Sequence, residues 1–221
     1  MTEEKDLLAV IREHLFTAVL GDVMDAAGYR AQFLPPHLKP VVEGPRLVGR
    51  AMTVAETDLD PDPEREGDFG LMFDALDDLG AGEIYVCAGS SGAFALWGEL
   101  MSTRAIRKGA LGAVVDGFHR DTAGIRRLGF PVYSRGAYGQ DQRPRGAVTG
   151  YRCPITFSNG VTVHPGDVIV ADLDGVVAIP AAALADTVGA ALEKLNIEKD
   201  VQEAIRNGEA TTSIFARTGV M

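Results

Sequence analysis

Apolar residues recur along this chain with two periods, and the switches between them mark out its elements. Over residues 5–27, Leu7, Leu8, Ile11, Leu15, Val19, Val23 and Met24 recur at threes and fours, which predicts a helix ended by Gly28. Residues 29–46 hold four prolines and read as loop, and 46–56 alternate loosely as a strand. The acidic stretch 59–68 reads as an exposed loop, since its carboxylates lack calcium-loop spacing. A short amphipathic helix follows over 69–79, stopped by Gly80. Then come a compact strand at 83–88 and a glycine-serine turn at 89–92 that matches neither a P-loop nor a dinucleotide fingerprint. Trp97, Leu100, Met101, Ala105 and Ile106 fall at helical spacing, so 97–108 reads as a helix with Gly109 as its stop. Residues 111–115 are continuously apolar, as in a strand covered on both faces. A loop at 116–121, a helix at 122–128 ended by Gly129 and a strand at 131–134 complete a strand-helix-strand-helix-strand unit of parallel α/β type.

Beyond residue 134 the pattern changes. Residues 135–152 are rich in glycine, arginine and glutamine and read as an ordered excursion or subunit contact. Asn159-Gly160 lies inside a hairpin pattern at 155–163, and strands at 168–171 and 176–179 flank a turn. Pro180 opens a long helix to about residue 207. The whole predicts an α/β protein in one domain over 1–221, with a central mixed sheet and flanking helices.

Composition narrows the function. A net charge of −10 leaves no basic stripe for nucleic acid, though a small anion needs only one arginine and a few backbone N–H groups. No apolar run approaches membrane-spanning length, and the polar, acidic N-terminal residues lack a signal-peptide pattern. Cys87 and Cys153 have no metal-type spacing and read as buried thiols, so the expected compartment is the cytoplasm.

Two segments carry candidate chemistry. In the first, Gly98 opens a helix start whose N–H groups at Glu99, Leu100 and Met101 have no partners within the helix, and the dipole adds partial positive charge there. They could hold a carboxylate, or the segment is an ordinary helix start with Glu99 favourably placed. In the second, Arg120 follows a buried strand, as a surface ion pair or as a fixed cation aimed at a substrate oxygen. Asp121 is placed to cap the helix at 122–128, or to hold a hard ion such as Mg2+ or Mn2+. Alternation points His119 away from Arg120, which favours a structural role.

Gly98-Glu99-Leu100-Met101, Gly117-Phe118-His119-Arg120-Asp121, Gly129-Phe130-Pro131-Val132, Val163-His164-Pro165-Gly166-Asp167 and Ala171-Asp172-Leu173-Asp174-Gly175-Val176-Val177 occur in this order. Together they resemble the RraA-like family, which includes 4-hydroxy-4-methyl-2-oxoglutarate/4-carboxy-4-hydroxy-2-oxoadipate aldolases, over residues 15–208. The resemblance implies an αββα-type sandwich, a homotrimer or hexamer with sites between subunits, and a class II pyruvate aldolase that also decarboxylates oxaloacetate. By position, Asp121 would hold a divalent metal, Mg2+ or Mn2+. Arg120 would bind the oxygens of the 2-oxo acid and stabilise the enolate, and the backbone of Gly98, Glu99, Leu100 and Met101 would bind its carboxylate. Glu99 would stand near a metal-bound water that relays protons. Glu198 of a neighbouring subunit's terminal helix, or alternatively Glu203, would complete the site. The pocket wall is expected from 89–97, 135–145 and that neighbour. Where active aldolases of the family commonly carry an acid, this chain has Gly124. That resembles the branch that binds and regulates an RNA-degradation enzyme, which supplies the alternative expectation.

Overall fold

In the computed structural model, residues 2–60, 69–92 and 94–221 are described. Most of the acidic 59–68 stretch, expected as an exposed loop, therefore lies outside the described residues.

The sheet is built around one long strand. β1 (Lys39–Pro40) is a two-residue edge piece, and β2 (Leu47–Asp58) runs through the middle of the molecule. β3 (Glu83–Ala88), β5 (Gly112–Val115) and β7 (Val132–Ser134) follow, with a short β4 (Ala95–Trp97) and β6 (Phe118–His119) between them. β8 (Gly146–Tyr151), β9 (Ile155–Thr156), β10 (Thr162–Val163), β11 (Val168–Ala171) and β12 (Val176–Ile179) complete the set. The main sheet has the order β1-β7-β5-β3-β2-β11-β12, and β8 also pairs with β2. β2, β3, β5 and β7 run parallel to one another, while β1, β11, β12 and β8 join antiparallel.

The period-2 alternation of these strands divides the core by face. Met52, Val54, Tyr85, Cys87, Ala113 and Val115 point to one side. There they pack on α3 (Met72–Asp78), α4 (Glu99–Lys108) and α5 (Thr122–Leu128) through Leu76, Ala105 and Ile125. Ala51, Ile84, Val86 and Val114 point to the other side, against Ile155, Phe157 and Val161 of the β9–β10 hairpin. A third cluster covers the β11–β12 end with α1 (Thr2–His14), α2 (Thr17–Ala26) and α6 (Leu184–Arg206), where Ile11, Leu20 and Val188 meet Val48, Val168 and Val177. This is the expected mixed α/β architecture, a curled central sheet with flanking helices.

Four elements differ from the sequence pattern. The helix expected over 5–27 is two helices broken at Leu15-Phe16, because Asp172 accepts hydrogen bonds from the amide and hydroxyl of Thr17 at 2.8 and 2.7 Å. A cap supplied 155 residues away leaves no local signal. Trp97 belongs to β4, not to the helix after it, and its ring stacks on Phe130 and meets Tyr85 at a tilt. The excursion expected at 135–152 contains β8, whose register on β2 shifts between Ala55 and Glu56. A final helix, α7 (Thr211–Thr218), packs on α6 through the buried Ile214 and has no counterpart in the sequence reading. Among the described residues no helix is long and apolar enough to cross a membrane.

Candidate active site

The two segments singled out in the sequence meet because β4 and β6 pair in parallel, Ala95 with Phe118 and Trp97 with His119. The amide of Arg120 extends that ladder by donating to the carbonyl of Trp97 at 2.9 Å. Gly98 and Arg120 therefore leave adjacent strands side by side, and α4 and α5 start together.

Asp121 takes an unexpected part in this junction. It sits at the N-cap position of α5 but makes no side-chain cap there. Its carboxylate instead accepts the amide of Glu99 at 3.2 Å, so it caps α4, which has no capping side chain of its own at Gly98. Two features allow this. Asp121 adopts the left-handed conformation (φ 60°, ψ 36°), which aspartate tolerates better than most residues. Gly98 leaves the approach open, since a Cβ there would lie 2.8 Å from Asp121 Oδ2. The glycine thus serves the neighbouring carboxylate. Among the described residues the amides of Leu100 and Met101 make no hydrogen bond, so the positive end of α4 keeps two open donors.

These groups form one end of a cleft of about 530 Å³. Gly98, Leu100, Met101, Arg120 and Asp121 all line it. Arg120 lies 3.2 Å from Asp141 and 3.9 Å from Asp121, and all three side chains are partly exposed. Asp141 and Gln142 come from the 135–145 segment, and Ala95, Leu96 and Trp97 from 89–97, the two expected sources of wall. The remaining wall is α3 with Phe69 before it, through Met72, Phe73 and Leu76, and the sequence reading did not anticipate this. Its one signal is that Phe69 and Phe73 lie four apart, while the buried face of that helix is Met72, Ala75 and Leu76.

The other candidates lie outside the cleft. The carboxylate of Glu99 turns back over α5, pairs with Arg127 at 3.1 Å and fills the space above Gly124, where a Cβ would lie 2.1 Å from Glu99 Oε2. It is not among the residues that line the cleft. Glu198 stands on α6 beside Lys194 at 3.9 Å, and Lys194 is held by Asp22 at 2.6 Å, away from the cleft of its own chain. His119 is buried with both ring nitrogens engaged, by Ser134 at 2.7 Å and Thr122 at 3.0 Å, as a structural residue would be. Burial and then the nearby Arg126 charge hold its pKa below the usual histidine value, against the amide hydrogen bond of Gly136. Both cysteines are free, Cys87 buried and Cys153 half-buried. The serines of the 89–92 turn face Asp58 and not the cleft.

Behind the cleft floor, Gln142 donates to the buried Glu56 at 2.8 Å. Burial, with a smaller push from Asp58, raises the Glu56 carboxyl to about 8, so it is neutral at pH 7.

Among the described residues no three His, Cys, Asp or Glu side chains cluster as a metal cage. Among the described lining residues, the carboxylates at the Arg120 end of the cleft are Asp121 and, across Arg120, Asp141, while Asp77 is paired with Arg104. That suits a magnesium-type ion, which keeps several waters and takes one or two protein carboxylates plus substrate oxygens. It does not suit a zinc-type centre.

A parallel α/β core thus carries an arginine, a carboxylate and an open helix start together at one end of a cleft. The chain belongs to the RraA-like family, whose Aldolase/RraA model matches residues 17–178. It is 30% identical over 165 residues to a Halalkalibacterium halodurans protein named "Putative 4-hydroxy-4-methyl-2-oxoglutarate aldolase", covering 74% of this chain and 72% of that one. It is 29% identical over 193 residues to protein DlpA of Legionella pneumophila; the match covers 87% of this chain but only 30% of DlpA. The fold matches Streptomyces coelicolor RraAS2, described as an unusual member of the RNase ES inhibitor RraA protein family, with a TM-score of 0.78 at 24% identity over 89% of this chain and 96% of that one.

Proposed function

We propose that this protein is a divalent-metal-dependent lyase that cleaves 2-oxo acids through a pyruvate enolate, as a 4-hydroxy-2-oxo acid aldolase, an oxaloacetate decarboxylase or both. The observation that carries this reading is the meeting of Arg120, Asp121 and the open start of α4 at one end of a cleft. The substrate carboxylate takes the amides of Leu100 and Met101 beside Gly98, where the dipole favours negative charge. Arg120 faces the 2-oxo group and stabilises the oxyanion that develops as the bond beside it breaks. Asp121 holds the ion, Mg2+ or Mn2+, whose contribution when bound is to polarise that same oxygen. Asp141, the other carboxylate beside Arg120, is left to accept the substrate's hydroxyl proton. Glu99 contributes through its amide, which fixes Asp121 against α4. Assembly as a homotrimer or hexamer would bring Glu198 of a second copy to the cleft mouth.

Both reactions leave the same enolate, so one site serves both. Decarboxylation breaks the C3–C4 bond of oxaloacetate with loss of CO2, and aldol cleavage breaks the corresponding bond of a 4-hydroxy-2-oxo acid. The test is pyruvate release from oxaloacetate with and without Mg2+ or Mn2+. We expect a strict metal requirement and a loss of about 10²- to 10³-fold in kcat for Arg120→Ala, the scale of removing one oxyanion donor. Asp121→Asn keeps the left-handed backbone and the acceptor for Glu99 but removes the charge, and it should lose metal-dependent turnover. Metal-independent turnover, or full activity in both variants, would sink the reading.

A second reading is a regulator that docks on an RNA-processing enzyme. The family description joins aldolases with RraA proteins, and the cleft mouth exposes Leu100 and Phe73, surface that another protein could cover. Tight capture of such an enzyme with no lyase turnover would favour it.

A further inference from the structure

A buried carboxyl lies under the cleft that no step of the proposed reaction uses. Glu56 stands on β2 just past the register shift with β8. It is 5% exposed and lies near Tyr85, Cys87 and Phe94, which belong to the core cluster on the cleft side of the sheet. A polar group in such a place is costly unless it is hydrogen-bonded. Burial, with Asp58 adding to it, holds this one neutral at pH 7.

Its hydrogen bond leads to the cleft. Gln142 Nε2 donates to Glu56 Oε1 at 2.8 Å across 86 residues of sequence, and Gln142 is itself 3% exposed. The same loop, between β7 and β8, is tied two residues earlier, where the carbonyl of Gln140 accepts the amide of Ala95 on β4 at 2.9 Å. At its far end Gly146 opens β8 directly against the carboxyl. A Cβ there would lie 2.9 Å from Glu56 Oε1 and 2.1 Å from the Phe94 ring. Asp141 is the residue between the two ties. Its carboxylate reaches Arg120 at 3.2 Å, and both side chains line the cleft. All of these contacts are made within one chain.

Resting on the lyase reading above, we infer that Glu56 is a positioning residue for aldol cleavage, which acts through Gln142 to hold Asp141 where it takes the proton of the substrate's C4 hydroxyl. A base displaced by about 1 Å loses about 10²-fold in rate. The two reactions differ in their need for it. In aldol cleavage the hydroxyl proton passes to Asp141 as C3–C4 breaks, the oxygen becomes a carbonyl and the bond's electron pair goes to C3. In oxaloacetate decarboxylation C3–C4 breaks with loss of CO2, and no hydroxyl proton moves. Both then return a proton to C3 and give pyruvate. Loss of the Glu56 contact therefore harms one reaction and spares the other.

The experiment measures kcat and KM by pyruvate release from 4-hydroxy-2-oxoglutarate and from oxaloacetate, with saturating Mg2+. Glu56→Met fills the apolar site but gives Gln142 no oxygen to donate to. It should lower kcat for cleavage by about 10²-fold, leave KM little changed and keep decarboxylation. Glu56→Gln presents a carbonyl oxygen as the neutral carboxyl does, and it should keep both reactions. The double variant Glu56→Met/Gln142→Met removes both polar partners, which is nearly neutral for stability, so it stays informative if the single variant fails to fold. It should remain as defective in cleavage as Glu56→Met. Full cleavage in Glu56→Met, equal loss of both reactions, or recovery of cleavage in the double variant overturns the assignment. Decarboxylation by the parent without any cleavage also overturns it and leaves the lyase reading standing, whereas no pyruvate from either substrate overturns both.

Discussion

One loop, residues 116–121, supplies two aspartates that each meet an arginine, and the pairs are opposites. Asp116 is 2% exposed and accepts hydrogen bonds from the amide and hydroxyl of Ser158, from Arg135 and from His37. Burial pushes its pKa up, but those hydrogen bonds outweigh it and leave the carboxyl below its ordinary value. Asp121, five residues on, is open to the cleft with one hydrogen bond, from the Glu99 amide, and Arg120 at 3.9 Å. The first carboxylate has its acceptor capacity filled by the chain itself, from the loops around His37, Arg135 and Ser158. The second has capacity left for something the chain does not provide. A saturated charge holds loops together, and an unsaturated one beside an open helix start is where a ligand gains most.

The sharpest way to break this contrast is to remove each carboxylate in turn. Asp116→Ala leaves the mostly buried Arg135 and the amide of Ser158 without their acceptor, and should cost about 3–5 kcal/mol, as for breaking a buried pair from one side. Asp121→Asn should cost under about 1 kcal/mol, because exposed ion pairs contribute little. Urea denaturation followed by circular dichroism measures both, and equal losses would erase the distinction. The depressed pKa of Asp116 fixes the sign of its pH dependence. Its stabilisation is present above the unfolded carboxylate pKa and is lost as pH falls through the lower folded value, so it marks an acid limit.

Glu56 gives a contrast of opposite sign. Its folded pKa of about 8 lies above the ordinary carboxylate value of 4.5, so its contribution is full below the unfolded value and is lost as pH rises towards 8. Stability should therefore fall as pH rises between about 5 and 8. Glu56→Gln, which keeps an acceptor for Gln142, should flatten that slope. The check is urea denaturation at three pH values in this range. An unchanged slope in the variant would place the titration elsewhere.

The fold was legible in the sequence wherever the signal was local. The parallel unit from β3 to β7, the β11–β12 hairpin and α6 all follow from periodicity, glycine stops and one proline. What was missed depends on partners distant in sequence. Asp172 ends α1 and starts α2 through Thr17, and β8 is a strand because β2 is long enough to carry a second partner along its far half. The site was half legible for the same reason. Arg120 and Asp121 stood out as chemistry, and they do line the cleft. That Asp121 caps α4 instead of α5 depends on a left-handed backbone at that residue and on β4–β6 pairing, neither of which a one-dimensional pattern encodes. The aromatic wall from α3 was hidden because its residues read as one face of an ordinary amphipathic helix.

The smallest predicted effect concerns Gly124, where the family resemblance implies an acid. The space such a side chain would enter is already taken, because a Cβ at 124 would lie 2.1 Å from Glu99 Oε2 and 2.2 Å from its carboxyl carbon. Glu99 is the flexible end of that contact, so Gly124→Asp is tolerated by swinging Glu99 away from Arg127. The lost exposed pair costs about 0–1 kcal/mol, and replacing a helical glycine recovers a few tenths. Net stability should stay within about 1 kcal/mol. Two carboxylates would then compete for one space, so Gly124→Asp alone should raise aldol cleavage less than the double variant Glu99→Asp/Gly124→Asp, which shortens the first side chain to make room for the second. Pyruvate release from a 4-hydroxy-2-oxo acid, measured for the parent, both single variants and the double, gives the coupling between the positions. Additive effects would mean that Glu99 and Gly124 do not share this space in solution, and that the open carboxylate at Asp121 works independently of what lies above α5.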